Sequence, residues 1–495
     1  MDEQRKDMDH KNSLAYSLPE NVHFTERSPV LYLIRKNPLS TITLNQVWKH
    51  ILEKMSEGEF VSFKEILSLV HSTPDKTAIY LDSLVRKGFM ESIGYRKLDN
   101  YPLITIIIPV RNRPDEIADC LTSLEKLDYP PEKTEIIVID DASDDSTSEV
   151  ISRFPVKLIK NSSQMGASYC RNLAAGESKG DILAFLDSDC VADSLWLKEL
   201  VPAFSDEANG AVGGKVDSWF GEKLLDRYEK VSSSLNMGKR SKSSKEDGSF
   251  FYVPTCNLLV KKDIFFELEG FNENVSVGED VDFCWRLKDR GFEIEYRPAG
   301  VVFHKHRNKT GAFFVRRFQY GTSEPFLQKK HPDRVKEMFY LPLTTLLWSL
   351  VLVSFLIGQY LLLGICVIIL VINTHTKWTQ VKREDLPIKY SQVLLAVFRG
   401  YFVSMYYWCE FFSRYYLFIT IILLPIYPVV SLIIFLNHVI VSVYEYYLRI
   451  PPLNIIGFFY LFTLDQLAYQ LGVWFGCFKY MSFNPVNPKI SRWTS

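Results

Sequence analysis

At 495 residues the chain is long enough for two or three domains, each with its own core, and its formal net charge of −1 excludes the broad basic field that nucleic acid selects. Its eight cysteines are scattered with no Cys-x-x-Cys pair, which excludes a zinc knuckle and a disulfide framework and fits a reducing compartment. Acids and bases alternate over Met1–Lys11 with no apolar core, so no secretory signal is expected.

Residues 1–27 are expected to be a flexible amino terminus, and residues 28–98 a small helical domain. A short strand at Val30–Ile34 precedes a helix with Leu44, Val47, Ile51, Leu52 and Met55 at the spacing of one buried face. Ser62 and Glu65 spell a capping box opening a second helix with Phe63, Ile66, Leu67 and Val70. A third helix follows Pro74, carries Ile79, Leu81, Leu84 and Val85, and stops at Gly88. Three helices followed by a hairpin make a winged-helix-like pattern, equally readable as a plain packing module.

Residues 103–335 are α/β. The apolar runs Thr105–Pro109, Glu135–Ile139 and Asp181–Leu186 are short and β-branched, as buried parallel strands are. A helix with Ile117, Leu121, Leu124 and Leu127 on one face separates the first two. The alternation predicts a doubly wound sheet binding its ligand at the carboxyl ends of the strands.

Residues 341–478 read as a membrane-associated helical region, and 479–495 as a tail. Leu341–Ile372 carries no charge over more than the ~20 residues that cross hydrocarbon. Residues 417–436 form a second uncharged stretch, interrupted by Pro425 and Pro428. Between them lies a basic loop with Lys377, Lys382, Arg383, Lys389 and Arg399. A single first span would put this loop opposite the catalytic domain, against the positive-inside tendency; a hairpin bent at Gly358 or Gly364 removes the conflict. The aromatic helices around Tyr401–Tyr416 and Phe458–Phe478 suit the membrane interface.

Each predicted strand runs into polar groups: Arg111-Asn112-Arg113, Asp140-Asp141 and Asp187-Ser188-Asp189. One acidic strand end is usually a solvated turn, but three in register would surround one ligand. Asp187 and Asp189 suit a hard divalent cation such as Mg²⁺ that neutralises charge on a departing diphosphate. Asp140 and Asp141 suit a base or ribose, one of them doubling as a helix cap. Gly166-Ala167-Ser168 with Arg171 opens a helix that a donor can approach closely. Glu279 and Asp280, in the first turn of a helix that continues through Arg286 and ends at Gly291, are held ionised by the helix dipole, so one of them can serve as a base. An ordinary acid-rich helix start is the competing reading. His304 follows a short strand and is either a structural histidine or the residue that completes the metal site.

The ordered set Ile106–Arg113, Val138–Ser143, Phe185–Asp189 and Gly278-Glu279-Asp280 resembles family 2 glycosyltransferases over about residues 103–325. The resemblance implies a GT-A fold, a nucleotide-sugar donor such as a UDP-sugar, a Mn²⁺ or Mg²⁺ ion and inversion at the anomeric carbon. It further implies donor contacts from Pro109, Arg111, Asp140, Asp141, Arg171, Asp187 and Ser188, and acceptor contacts from Glu279 and Arg286. Asp189 and His304 would serve the metal, and Asp280 would be the base. The Gln-x-x-Arg-Trp motif of processive synthases is missing, Arg316-Arg317-Phe318-Gln319-Tyr320-Gly321 standing in its place.

The whole-chain layout, a PqqD-type module, this domain and a hydrophobic tail, resembles the glycosyltransferases of mycofactocin biosynthesis. That implies β-1,4-linked glucose, from UDP-glucose, added to a peptide-derived redox cofactor or its precursor. Residues 28–98 would then dock precursor peptide or a partner protein. The expected location is the cell membrane, with the catalytic domain on the cytoplasmic side where nucleotide sugars are found.

A transferase building a lipid-linked or cell-surface glycan is the alternative within the enzyme class. A DNA-binding regulator is disfavoured because the third helix mixes Lys76 and Arg86 with Asp75 and Asp82, leaving no basic stripe. No Gly-x-Gly-x-x-Gly follows the first strand, which disfavours a dinucleotide oxidoreductase.

Overall fold

The computed structural model describes residues 14–27, 29–246, 251–275, 277–306, 309–340, 342–383 and 386–492. Residues 1–13 of the expected flexible terminus, the Leu341 boundary and residues 493–495 of the tail lie outside the described residues. Two compact units divide the chain: one holds residues 47–313 with the amino-terminal residues up to Pro19 and a short piece at Pro451–Leu453; the other holds Glu20–Gln46, Phe314–Ile450 and Asn454–Ser495.

The first elements are β1 (Ala15–Ser17), β2 (Val22–Arg27), β3 (Val30–Lys36), β4 (Leu39–Leu44), α1 (Lys49–Ser56), β5 (Val61–Ser62), α2 (Phe63–Leu69), α3 (Pro74–Arg86) and β6 (Glu91–Ile93). All three expected helices form, but the first is shorter than its apolar spacing suggests: Ile51, Leu52 and Met55 are its buried face, while Leu44 ends β4 and Val47 is exposed. The Ser62 hydroxyl accepts from Glu65 N at 3.2 Å to open α2, but Glu65 turns to Lys54 at 2.6 Å, so only half of the capping box closes. Thr73 caps α3, Pro74 fills its first turn, and Gly88 ends it at φ +71°.

Three expectations need correction here. Residues 15–17 and 22–27 are strands, not flexible chain. The strand expected at Val30–Ile34 is the middle of an antiparallel β2-β3-β4 meander that groups with the second unit. The hairpin expected after α3 does not form: β6 pairs with β1, giving the order β5-β1-β6. Lys97, Asp99, Asn100 and Pro102 leave no alternating run after β6, so its partner comes from the amino terminus, where Tyr16 is fully buried.

The rest of the first unit is β7 (Ile104–Val110), α4 (Pro114–Leu124), β8 (Thr134–Asp140), α5 (Thr147–Ile151), β9 (Lys157–Lys160), α6 (Ala167–Gly176), β10 (Ile182–Phe185), β11 (Cys190–Ala192), α7 (Trp196–Leu200), β12 (Asn209–Ser218), α8 (Leu224–Ser232), β13 (Lys242–Ser243), β14 (Leu258–Lys261), α9 (Lys262–Glu267), α10 (Glu279–Asp289) and β15 (Glu293–His304). The sheet runs β11-β15-β12-β14-β10-β7-β8-β9, with β13 on β15. The three strands read from sequence are parallel neighbours, β10-β7-β8. The sheet as a whole is mixed rather than doubly wound throughout, because β14 enters antiparallel between β10 and β12. This is a GT-A-like mixed α/β sheet.

Alternation explains why those strands read as unbroken apolar runs. Ile106, Ile108, Val138 and Ala184 go to one core, with α4 and Trp196; Ile107, Ile137, Ile139, Leu183 and Phe185 go to the other, with α6, Phe265, Phe271 and Phe283. A strand covered on both faces has no position for a polar residue until it leaves the sheet. The acids therefore gather at the strand ends.

The second unit, considered by itself, comprises the β2–β4 meander, most of α11 (Thr310–Lys330), β16 (Glu337–Tyr340), α12 (Pro342–Ile357), α13 (Leu361–Arg383), α14 (Tyr390–Tyr416), α15 (Ile419–Leu423), α16 (Pro428–Arg449), α17 (Ile455–Tyr480) and β17 (Lys489–Arg492). The first uncharged stretch is broken at Gly358, φ +67°, and α13 packs against α12, with the Cys366 thiol 3.7 Å from Leu347 O. α13 and α16 are long and apolar enough to cross a membrane. α11 crosses α17 at glycines: a Cβ on Gly472 would stand 2.0 Å from Phe318 O. Beside this crossing the buried Glu324 carboxylate receives Tyr469 Oη at 2.5 Å, Lys336 Nζ at 2.8 Å and Tyr415 Oη at 3.1 Å.

Candidate active site

The carboxyl ends of β7, β8 and β10 and the amino end of α10 hold the polar groups singled out above. Val110 stands beside Asp140 in the β7–β8 register. Beyond them Asn112 and Ala142 take left-handed conformations, and Asn112 and the 143–144 turn exchange hydrogen bonds at 3.0 Å in both directions. Arg111 reaches across to Gln164, and Pro109 lies within β7.

The two acids after β8 are spent on local structure. Asp140 accepts from Ser143 N at 2.9 Å and from the Ser148 hydroxyl, tying the turn to α5; the first amide of α5, Thr147 N, goes to Asp145 at 2.9 Å, so the capping role expected of the pair falls to a neighbouring acid. Asp141 accepts from Asn161 Nδ2, Met165 N and Gly166 N, each at 2.8 Å, and so holds the 161–166 loop that leads into α6. Burial alone would raise the Asp141 carboxyl; these three donors outweigh it and hold it below the usual range.

Arg171, on α6, is 2% exposed. One nitrogen meets Asp187 Oδ1 at 2.6 Å, the other Glu279 Oε1 at 3.0 Å, and its guanidinium carbon lies 5.7 Å from the Phe271 ring centre. It thereby couples two groups of acids. Ser188, between Asp187 and Asp189, is 3% exposed and turned inward.

Arg286, expected at the acceptor, is half-buried and tied into local structure. It pairs with Asp282 at 2.9 Å and donates to the carbonyls of Leu268 and Gly270, fixing the turn after α9. The i,i+4 spacing from Asp282 on α10 is the signal that could have revealed it. Gly278, φ +91°, caps α10, and Glu279, Asp280 and Asp282 fill its first turn. Asp280 accepts from Val281 N at 2.8 Å and is half-buried.

Asp189 follows the β10 edge, and its neighbour Cys190 pairs with His304 across β11 and β15. Asp189 Oδ2 receives Arg113 Nη1. Asp189 Oδ1 is buried with no hydrogen-bond partner and lies 3.6 Å from His304 Nε2. Burial would raise this carboxyl, but His304 and Arg113 together hold it low. An orphaned carboxylate oxygen facing an imidazole fits a divalent cation. Cys190 Sγ lies within 4.8 Å of both, but burial and its hydrogen bond to Cys256 keep it a thiol. Arg113 belongs to the first of the three polar strand ends read from the sequence, without a role of its own; its pairing with Asp189 comes from tertiary register.

The model of glycosyl transferase family 2 matches residues 105–267. A glycosyltransferase of Haloferax volcanii, AglE, is 30% identical over 230 residues, 45% of this chain and 73% of that protein. The chain belongs to glycosyltransferase family 2. It also resembles the pre-mycofactocin glycosyltransferase of Mycobacterium tuberculosis, at 26% identity over 398 residues covering 78% of this chain and 82% of that one. Among solved structures, a mannosyltransferase of Pyrobaculum calidifontis in complex with GDP-Man and Mn²⁺ aligns with a TM-score of 0.38 and 18% identity over 52% of this chain and 72% of that one.

Proposed function

We propose that the chain is an inverting, metal-dependent transferase that moves glucose from UDP-glucose onto mycofactocin or its peptide-derived precursor. The observation that supports this chemistry is the Arg171 bridge, which sets Asp187 and Glu279, the residue before Asp280, on one guanidinium. Asp189 and His304 would hold Mn²⁺ or Mg²⁺, which when bound neutralises the diphosphate leaving group. Asp280 takes the proton from the acceptor hydroxyl as that oxygen attacks the anomeric carbon. Arg171 keeps Glu279 and Asp187 in place while this happens. Arg111 and the 161–166 loop border the donor on the β7–β8 side.

The acceptor assignment is supported by the reach of the M. tuberculosis match, which extends well beyond the 105–267 segment of the family model. Residues 28–98 act as the docking module for precursor peptide or a partner protein. The catalytic domain faces the cytoplasm, and the hairpin at Gly358 returns the basic residues around Lys382 to that side. The exposed apolar faces of α13 and α16, including Ile368, Ile372, Val429 and Ile433, favour a second reading in which a lipid-borne glycan is the acceptor.

UDP release from UDP-glucose with Mn²⁺ or Mg²⁺ tests these assignments. Release stimulated by the peptide-derived acceptor and lost in Asp189→Ala is expected. Release stimulated only by lipid or glycan acceptors would replace the acceptor, and no metal dependence would remove the ion.

A further inference from the structure

Three carboxylates of the site, Asp187, Asp189 and Glu279, pair with two arginines that differ in their freedom to move. Arg171 is buried, paired on two sides and packed near Phe271. Arg113 is 37% exposed at its side chain, and Asp189 is its one ion pair among the described residues. Arg113 also shares its acid with the atoms suited to a cation: it occupies Oδ2 while Oδ1 stands open beside His304. Its charge is drawn to Asp189 and Asp187 together.

Resting on the metal-dependent reading above, we propose that Arg113 is a positioning residue that makes cation entry depend on the donor. With no donor, its guanidinium neutralises Asp189 and repels a divalent cation approaching Oδ1. A diphosphate offers Arg113 another anion, and a guanidinium fork suits phosphate oxygens. Arg113 then leaves Oδ2 for the donor, and Asp189 regains its full charge for the cation. Cation and nucleotide therefore bind cooperatively, and by linkage each tightens the other by the same factor. Arg171, locked between two acids, cannot make this exchange.

The experiment is a Mn²⁺ titration of the full-length protein followed by electron paramagnetic resonance, with and without UDP, on wild type, Arg113→Gln and Arg113→Lys. Melting temperatures of the three proteins serve as the folding control. In wild type, UDP is expected to tighten Mn²⁺ by about tenfold, within the usual range of site–site coupling. In Arg113→Gln, Mn²⁺ alone should bind at least about fivefold tighter, and the gain from UDP should shrink to what direct contact between diphosphate and cation supplies. Arg113→Lys keeps the charge and should keep most of the coupling. Arg113→Gln binding Mn²⁺ no tighter than wild type, or Arg113→Lys behaving as Arg113→Gln, overturns the role of Arg113 while the metal reading stands. No Mn²⁺ binding by wild type even with UDP overturns the metal reading and this inference with it.

Discussion

Arg171 Nη2 stands 2.6 Å from Asp187 Oδ1, and this buried pair joins the helix before β10 to the acids after it. The same guanidinium reaches Glu279 at 3.0 Å on a helix more than a hundred residues further on. Arg171→Met would leave two partly exposed carboxylates facing each other without a cation, which costs about 1–3 kcal/mol. Arg171→Lys restores a charge but no fork, so it can meet one acid at a time. The expected order of melting temperature is wild type, then Lys, then Met, with UDP affinity falling in the same order. Equal melting of the Lys variant and wild type would show that the bridge to Glu279 contributes nothing.

The comparison of residues explains how much of this site could be read in advance. The strand ends and the α10 amino terminus follow from local pattern, because a two-faced buried strand expels its acids to its end, whereas the approach of His304 to Asp189 comes from the β11–β15 pairing. The partners of those acids follow from tertiary register. Asp141 and Arg286 sit in the expected motifs, yet the loop at 161–166 and the turn at 268–270 use their hydrogen-bonding capacity, and those segments lie 16 to 25 residues away. In the same way, the β1–β6 pairing joins segments separated by three helices, so nothing near Glu91–Ile93 could signal it. The bend at Gly358 was legible because glycine alone enters a left-handed conformation at no steric cost.

Asp280→Asn tests the base directly. Asparagine keeps the size of the side chain but cannot take the acceptor proton, and a positioned base is typically worth ~10²–10⁴ in rate. Transfer should fall by about 10²-fold or more while UDP affinity, measured by calorimetry, stays within about twofold of wild type. A variant that transfers at the normal rate would move the base elsewhere, with Glu279 the first residue to examine.

Asp141 should make stability depend on pH. Its folded carboxyl is held low by donors from Asn161, Met165 and Gly166 despite burial, so its contribution is complete above the ordinary carboxylate value of about 4. The contribution is lost as pH falls through the lower folded value, where the carboxylate takes up a proton. Asp141→Asn should therefore melt below wild type near pH 7, by about 1–3 kcal/mol of stability, with the gap closing under acid. A gap that persists unchanged below pH 3 would mean that shape rather than charge holds the loop.

The last prediction concerns β15, which carries His304 at one end and Glu295 and Arg297 near the other. Arg297 donates to Asp82 of α3 at 2.5 Å and to Glu295 at 2.6 Å, and Glu295 also accepts from Asn209 at 2.9 Å. Arg86, one turn on from Asp82, lies 3.5 Å from Glu295. The face of α3 that a free winged helix would present to a ligand is thus engaged by the strand that delivers His304 to the site. Asp82→Ala leaves Arg297 with one acid in a site that water reaches poorly, and should cost about 1–3 kcal/mol in full-length protein. The Asp82→Ala/Arg297→Ala double variant removes both charges together, so its loss in melting temperature should be smaller than the sum of the two single losses. If the losses simply add, the pair is not coupled, and α3 is held against the sheet by its apolar residues Ala78 and Leu81 instead.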